Sequence, residues 1–442
     1  MAFLSRAADA LWNPWLLGLF LLTGLVYSAG SGFFQIFGFP VWWRATAGTL
    51  GKRGPRTGGG LSPLQALATA LASTIGTGSI AGVAAALTLG GPGAVFWMWV
   101  SALLGMMTSW GEKLLAVEYQ RRDPDGSLRG GPMYYLRDGL NSPLLAACFC
   151  LACVPATLAG GGLVQSSSIA ASLESAFSLP RPAAGAVTAL LAGLVMAGGM
   201  GRVAAVSSAL VPVMAALYLG GGGLVLLHNW QKIPEALGLI LSCALSPRAA
   251  LGGGAGWTAA AALRHGVARG VFTNEAGMGT SAIAHGAART ASPPAQGMWG
   301  IFEVFVSTLL VCTVTALAIL VSGAWDGSTT GAPLTAAAFA SVLGRAGEGI
   351  VALSLLLFAF SSILGWSCYG QQCLEYLSGG RLTPLYRAAM LLAVLAGAVW
   401  QTQGVWQLVD LCTALMALPN LTALLLLAPR TLSRLGQKES ER

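Results

Sequence analysis

Ile75-Gly76-Thr77-Gly78-Ser79 lies in the middle of one long apolar stretch, and Ala276-Gly277-Met278-Gly279-Thr280 lies in the middle of another. Both read apolar–Gly–x–Gly–hydroxyl. Glycine costs about 1 kcal/mol relative to alanine inside a helix, so two placed this closely favour an unwound turn. In hydrocarbon an unwound turn leaves N–H and C=O groups unpaired, which is tolerated only where they line a cavity or a ligand site. The freed N–H groups lie at the positive end of a half-helix and suit a carboxylate. The freed carbonyls suit a cation. Close packing of small residues is the other reading of such glycines, and it fits Gly82 with Ala86 and the run Gly220 to Gly223.

The stretches around these motifs belong to a chain suited to a bilayer. Of 442 residues, 55% are hydrophobic and 9% charged, against roughly 25% charged in a soluble domain. The mean hydropathy is +0.70. Blocks such as Trp12 to Phe39, Pro92 to Ala116 and Val405 to Ala428 can each cross a hydrocarbon core, which takes about 20 residues as a helix. A membrane β-barrel would need strands of roughly 10 residues with alternating polarity, and these blocks do not alternate. The first block lacks a cleavage motif and is expected to stay as a permanent helix.

The reading is therefore an all-α integral membrane protein with about eleven transmembrane helices. They are placed near 14–38, 62–90, 92–120, 142–172, 182–200, 204–228, 257–290, 297–323, 348–378, 383–401 and 405–428. The apolar stretch 333–343 is too short to span and reads as a surface helix. The two glycine motifs fall in the second and seventh helices, which run in opposite directions, and five helices begin with each. Two five-helix halves of opposite orientation, each opening with a broken helix, make an inverted-repeat transporter with one extra N-terminal helix. The expected organisation is 1–61 (extra helix and basic cytoplasmic loop), 62–228 (first half), 229–256 (extracellular loop), 257–428 (second half) and 429–442 (cytoplasmic tail).

Loop charges set the expected orientation. Arg44, Lys52, Arg53 and Arg56 follow the first helix. Arg121, Arg122, Arg129 and Arg137 follow the third, and Arg430, Arg434, Lys438 and Arg442 lie in the tail. Eleven helices put all three groups on one side, joined there by Lys113, Arg202, Arg289, Arg381 and Arg387. Of the 24 Lys and Arg residues, Arg6, Arg181, Lys232, Arg248, Arg264, Arg269 and Arg345 remain for the other side. The rich side is expected to be cytoplasmic, with the N-terminus outside an inner cell membrane and the C-terminus inside. Because the basic residues sit in short loops, the formal charge of +8 does not indicate a nucleic-acid partner.

Other function classes find little support. The eight Cys lie nearly all in apolar blocks, and Cys148, Cys150 and Cys153 read as small structural thiols. His228, His265 and His285 are well separated, with no nucleophile motif or metal spacing, so neither an enzyme nor an organic cofactor is expected. No phosphate-binding loop indicates ATP-driven pumping. A channel's filter uses rings of carbonyls or charges, usually repeated by oligomer symmetry. Broken helices within one chain fit alternating access better.

The stretch Gly270-Val271-Phe272-Thr273-Asn274-Glu275-Ala276-Gly277-Met278-Gly279-Thr280-Ser281 closely resembles the signature of the alanine or glycine:cation symporter family, the sodium:alanine symporters. So do Leu71 through Gly82, Gly91-Pro92-Gly93-Ala94-Val95-Phe96-Trp97-Met98-Trp99 and Gly130-Gly131-Pro132-Met133-Tyr134-Tyr135. Phe358-Ala359-Phe360-Ser361-Ser362-Ile363-Leu364-Gly365-Trp366 and Leu415-Met416-Ala417-Leu418-Pro419-Asn420-Leu421 complete the series. The resemblance runs in order from the second helix to the last. It implies a leucine-transporter-type fold and uptake of alanine or glycine coupled to sodium.

Residue by residue, the resemblance puts the substrate carboxylate at the N–H groups near Thr77 and Gly78, beside Ser79. It puts the ammonium against Phe272, Thr273 and Glu275 in the second break, next to Gly277. Gln165 matches a glutamine that reaches the substrate, and Trp366 would wall the pocket. Ser361 and Ser362 match a hydroxyl pair that holds sodium, completed by carbonyls near Ala72, Ile75 and Phe358. Hydroxyls and carbonyls suit a hard cation; bonding back to their own helix is the plainer role for such serines. The chain departs from the family where it has Ser79 in place of Asn, Ser307 in place of Asp, and Gln371 where an acidic residue is common. Two short neutral side chains at Ser79 and Ser307 imply a single cation per substrate or an altered cation choice.

Charges inside the membrane carry a functional expectation because an Asp or Arg at mid-helix costs about 3 kcal/mol. Glu275, Glu303, Asp410, Arg264 and Arg269 qualify. Arg269 is expected to pair with Glu275 or with Asp410, as an outer gate or as a static pair that fixes packing. Were a proton the coupling ion, Glu275 or Asp410 would carry it. Glu112, Lys113 and Glu118 fall near a helix end and are expected at the interface.

Overall fold

The computed structural model describes residues 10–50, 60–124, 126–245, 259–290, 292–327, 329–400 and 403–436. The expected basic residues Arg6, Lys52, Arg53, Arg56, Arg248, Lys438 and Arg442, and the glycines 252–254, lie outside them.

Helices dominate, and their starts are written in the sequence. Pro14 opens α1 (Pro14–Gly30). Ser62 and Gln65 form a reciprocal capping box that opens α2 (Pro63–Thr74), with Pro63 in the first turn, where its missing N–H costs nothing. Then follow α3 (Gly78–Gly90), α4 (Gly93–Glu118), α5 (Pro143–Glu174), α6 (Arg181–Met196) and α7 (Gly199–His228). After them come α8 (Ile233–Leu245), α9 (Ala259–Asn274), α10 (Thr280–Gly286), α11 (Pro293–Ser322), α12 (Ala332–Leu343), α13 (Arg345–Ser378), α14 (Thr383–Val399) and α15 (Gln403–Gly436).

Six of these, α4, α5, α7, α11, α13 and α15, are long and apolar enough to cross a membrane by themselves. The pair α2 and α3, bent by 51° at its break, forms a seventh. α1, α6 and α14 are shorter apolar helices.

Three details differ from the sequence reading. The first helix ends at Gly30, and the chain turns through short helices at Phe34–Phe37 and Phe39–Ala45. The expected extracellular loop 229–256 contains α8, which packs on α4 and α9. The stretch read as a surface helix, α12, buries Leu334, Ala338 and Phe339 and packs along α13. A two-residue antiparallel ladder, β1 (Arg121–Arg122) with β2 (Leu128–Arg129), follows α4.

One end of the bundle gathers the basic loops. Arg121 and Arg137 both pair with Asp138, at 3.0 and 2.9 Å. Arg129 reaches Asp123 and Glu375, and Arg430 and Arg434 share Glu118. At this charge-rich end the chain after β2 crosses the end of α10 closely. A Cβ added to Gly286 would sit 2.5 Å from the backbone carbon of Gly130 and 2.8 Å from the nitrogen of Gly131. Backbone cannot step aside as a side chain can, so Gly286→Ala is expected to destabilise by about 3 kcal/mol. Thermal unfolding in detergent reads this; an unchanged melting temperature would refute the close fit.

Candidate functional site

The two glycine motifs are breaks, and they touch. Between α2 and α3 the chain passes through Ile75, Gly76 and Thr77, and α3 begins with a wide π turn over Gly78–Gly82. Such turns free carbonyls from the helical ladder. Thr315 of α11 donates to the Ser79 carbonyl (2.9 Å) and Thr335 of α12 to that of Ile80 (3.2 Å). The second break spans 275–279, with left-handed backbone at Glu275 (φ 55), Gly277 (φ 89) and Gly279 (φ 82). Glu275 is the costly one, since a side chain in this region is strained by about 1–3 kcal/mol. A Cβ on Gly78 would come within 3.2 Å of Thr273 and 3.4 Å of the Phe272 ring. The glycine thus sets how closely the breaks approach.

The expected cation ligands meet at the C-terminal end of α2. Ser361 Oγ donates to the carbonyls of Ala72 and Phe358, both at 2.9 Å. Ser362 Oγ donates to Ala72 at 3.2 Å. These four oxygens form a hard-ligand group that bridges α13 and α2. The bonding back to α13 is real, but Ala72 shows that it is not the whole role. Ile75 caps α2 by donating its N–H to the Leu71 carbonyl at 2.9 Å. A Cβ on Gly76 would press on Ser362 Oγ at 2.7 Å.

The expected substrate residues surround the same place. A π turn over Thr157–Val164 delivers Gln165. Its Nε2 donates to the Gly160 carbonyl (3.3 Å), while its Oε1 is buried and without a protein partner. Gly160 and Gly161 admit the Trp366 indole against α5. Trp366 Nε1 donates to Glu275 Oε1 at 3.0 Å, and Thr280 donates to Oε2 at 2.5 Å. Glu275 is thus held behind Trp366 and is not paired with Arg269. Thr273 Oγ1 bonds back to Arg269 and Gly270. Of the two departures, Ser79 has a buried hydroxyl without a partner, and Ser307 makes only a long bond to Val304 on its own helix.

Phe272 lines a cleft of about 150 Å³ near the N-terminal end of α4, where Gly266 meets Ala94, opposite the charge-rich loops. Arg264, His265, Arg269, Asp410 and Trp12 also line it. Arg269 and Asp410 therefore share one cleft.

Several residues to which the sequence reading gave no place in the site complete it. Glu112 and Lys113, expected at the interface, are fully buried. Glu112 Oε1 accepts the N–H groups of Gly277 and Gly279, both at 3.0 Å, and the Asn420 side chain at 2.6 Å. A carboxylate of the chain itself therefore occupies the donors freed by the second break. Asn420 also donates to the Gly277 carbonyl (2.9 Å) and accepts from Tyr135. Lys113 Nζ donates to Ser109 and Ser281 and lies 3.5 Å from both Glu112 and Glu303. His285 Nε2 lies 3.3 Å from Glu303. The sequence signals were Glu303 as an intramembrane charge and Tyr135, Ser281 and Asn420 within matching motifs.

Known proteins resemble the chain along its whole length. The model of the sodium:alanine symporter family matches residues 1–441. An uncharacterized transporter of Haemophilus influenzae is 43% identical over 96% of this chain and 93% of its own. The sodium/alanine symporter AgcS of Methanococcus maripaludis is 40% identical over 97% of this chain and 95% of its own. Among solved structures, a manganese transporter of Eremococcus coleocola aligns with a TM-score of 0.53 at 16% identity, over 85% of this chain and 78% of that one, which is a likeness of fold. The chain belongs to the sodium:alanine symporter family: it is a cation-coupled amino-acid transporter of the membrane and not an enzyme.

Proposed function

We propose that the protein takes up alanine or glycine together with sodium by alternating access. The observation that carries this reading is the meeting of the two breaks at Gly78 and Thr273, with the neighbouring Gly76 against Ser362 of the group formed by Ser361, Ser362, Ala72 and Phe358. In this reading the carboxylate meets the N-terminus of α3 near Thr77 and Gly78, where the half-helix dipole favours it. Glu112 already fills the equivalent place in the second break, which leaves the first as the carboxylate's seat. The Gln165 Oε1 faces the ammonium. Trp366, pressed against Gly160 and Gly161, keeps the pocket small, in line with alanine or glycine.

Sodium joins α13 to the end of α2 and favours the form open to the cleft. A ligand shifts a conformational equilibrium only by its differential affinity for the two forms. Arg269 and Asp410 act as the outer gate, and one sodium accompanies each substrate, since Ser79 and Ser307 offer little to a second. The architecture we assign is eleven spans, five plus five inverted after one extra helix, of the leucine-transporter type. The charge-rich end is cytoplasmic and the N-terminus outside.

Gln165→Ala is expected to weaken alanine binding about tenfold or more, since one bond to a charged group contributes about 1.5–3 kcal/mol. Titration of purified protein with alanine in sodium and in potassium tests both points. Equal affinity in the two salts would count against the coupling, and unaltered binding in the variant would move the ammonium elsewhere.

A further inference from the structure

Beneath the second break lies a group of charges to which the transport reading assigns no proton. Glu112 and Lys113 of α4, Glu275 of the break, His285 of α10 and Glu303 of α11 are each 0–1% exposed. They form a chain of close approaches: Lys113 Nζ is 3.5 Å from Glu112 Oε2 and 3.5 Å from Glu303 Oε2, and Glu303 Oε2 is 3.3 Å from His285 Nε2. Glu275 joins them through the break that Glu112 caps. The other titratable side chains facing this region are the hydroxyls of Tyr27 on α1, Tyr135 before α5 and Tyr369 on α13, all buried. Tyr27 donates to the Leu424 carbonyl and Tyr135 to Asn420.

Electroneutrality decides what this group must hold. Three carboxylates face one ammonium. A buried charge without a partner costs several kcal/mol, and two unmatched negative charges in a dry membrane interior are not sustained. Neither oxygen of Glu303 accepts a hydrogen bond, and His285 Nε2 makes none, although each lies within reach of the other. Such a pair has room for a proton between its atoms. Its surroundings also decide when that proton leaves. His285 and Ser281 ride on α10, a helix of 7 residues hinged on left-handed Gly277 and Gly279, and it is the element between this group and the charge-rich end.

We propose that Glu112, Lys113, Glu275, His285 and Glu303 form a proton-binding site that is loaded in this closed form and releases its proton when α10 moves and the charge-rich end opens. In that step the O–H or N–H bond on Glu303 or His285 breaks, its electron pair stays on the side chain, and the proton passes to water at that end. The transport cycle then carries a proton exchange beside the sodium step. The inference rests on the sodium-coupled reading only for the cause of opening; the loaded site itself does not.

The test is infrared spectroscopy of the purified transporter at about pH 7.5, where exposed glutamic acids are fully ionised. We expect a carboxylic-acid C=O band in the wild type. It should be lost or shifted in at least one of Glu112→Gln, Glu275→Gln and Glu303→Gln, and its position altered in His285→Gln. Absence of any such band in the wild type, which needs no variant to fold, overturns the proposal. So does a band untouched in all four variants. The coupling is read in weakly buffered detergent solution. Adding sodium to sodium-free protein, which favours the form closed at this end, should take up about half a proton or more per transporter, and choline should take up none. Sodium that stabilises the protein against heat without moving protons overturns the coupling. Sodium that does not stabilise it removes the sodium reading instead, and the infrared band then decides the site alone.

Discussion

Glu112→Ala is expected to abolish transport and to destabilise the protein by about 3–5 kcal/mol, the range for removing one partner of a buried charge pair. The variant strips three donors of their acceptor at once: the N–H groups of Gly277 and Gly279 and the Asn420 amide. It also leaves Lys113 with Glu303 as its remaining carboxylate. Glu112→Gln keeps an oxygen for the N–H groups and removes the charge, so its loss should be smaller. The two variants separate the geometric role from the electrostatic one. If Glu112 holds the break open as a substitute anion, formate or acetate should restore part of the stability of Glu112→Ala and none of that of Glu112→Gln. Thermal unfolding with and without 0.1 M-scale formate reads this. A Glu112→Ala protein as stable as the wild type would remove the carboxylate from the break.

The second large effect concerns Ser361 and Ser362. Replacing both by alanine deletes two of the four oxygens gathered at the end of α2 and leaves the Ala72 and Phe358 carbonyls. The sodium concentration for half-maximal uptake is expected to rise by at least about tenfold, or about 1.4 kcal/mol. Alanine affinity at saturating sodium should change much less, because the serines do not line the Gln165 side of the site. Were the serines only bonding back to their own helix, the double variant would keep its sodium dependence and lose a little stability. A sodium curve unchanged within twofold therefore refutes the ion role.

The breaks were legible because their cause is local. Two glycines separated by a single residue, preceded by an apolar residue, are enough to predict unwinding, and the left-handed angles at Gly277 and Gly279 are of the kind glycine supplies without strain. Ser361 and Ser362 were legible through the motif around them, since neither spacing nor hydropathy sets them apart from other membrane serines. The buried charges were not legible. Glu112 and Lys113 stand close to the end of a long helix, where charges normally reach water, and nothing within α4 shows that α10, α11 and α15 cover them. Their partners are Gly277, Ser281, Glu303 and Asn420, all more than 150 residues away, and long-range pairing leaves no periodic trace. α8 was hidden for a different reason. It is held in the bundle by packing on α4, α9 and α11, contacts that the sequence of the segment itself does not show.

The most direct test of the account is uptake of labelled alanine by proteoliposomes, with an inward sodium gradient and with sodium replaced by choline. The account predicts concentrative uptake in sodium, saturating with about one sodium per alanine, and none above background in choline. Uptake that ignores sodium and follows an imposed proton gradient would contradict the assigned cation, and accumulation in neither condition would contradict the substrate.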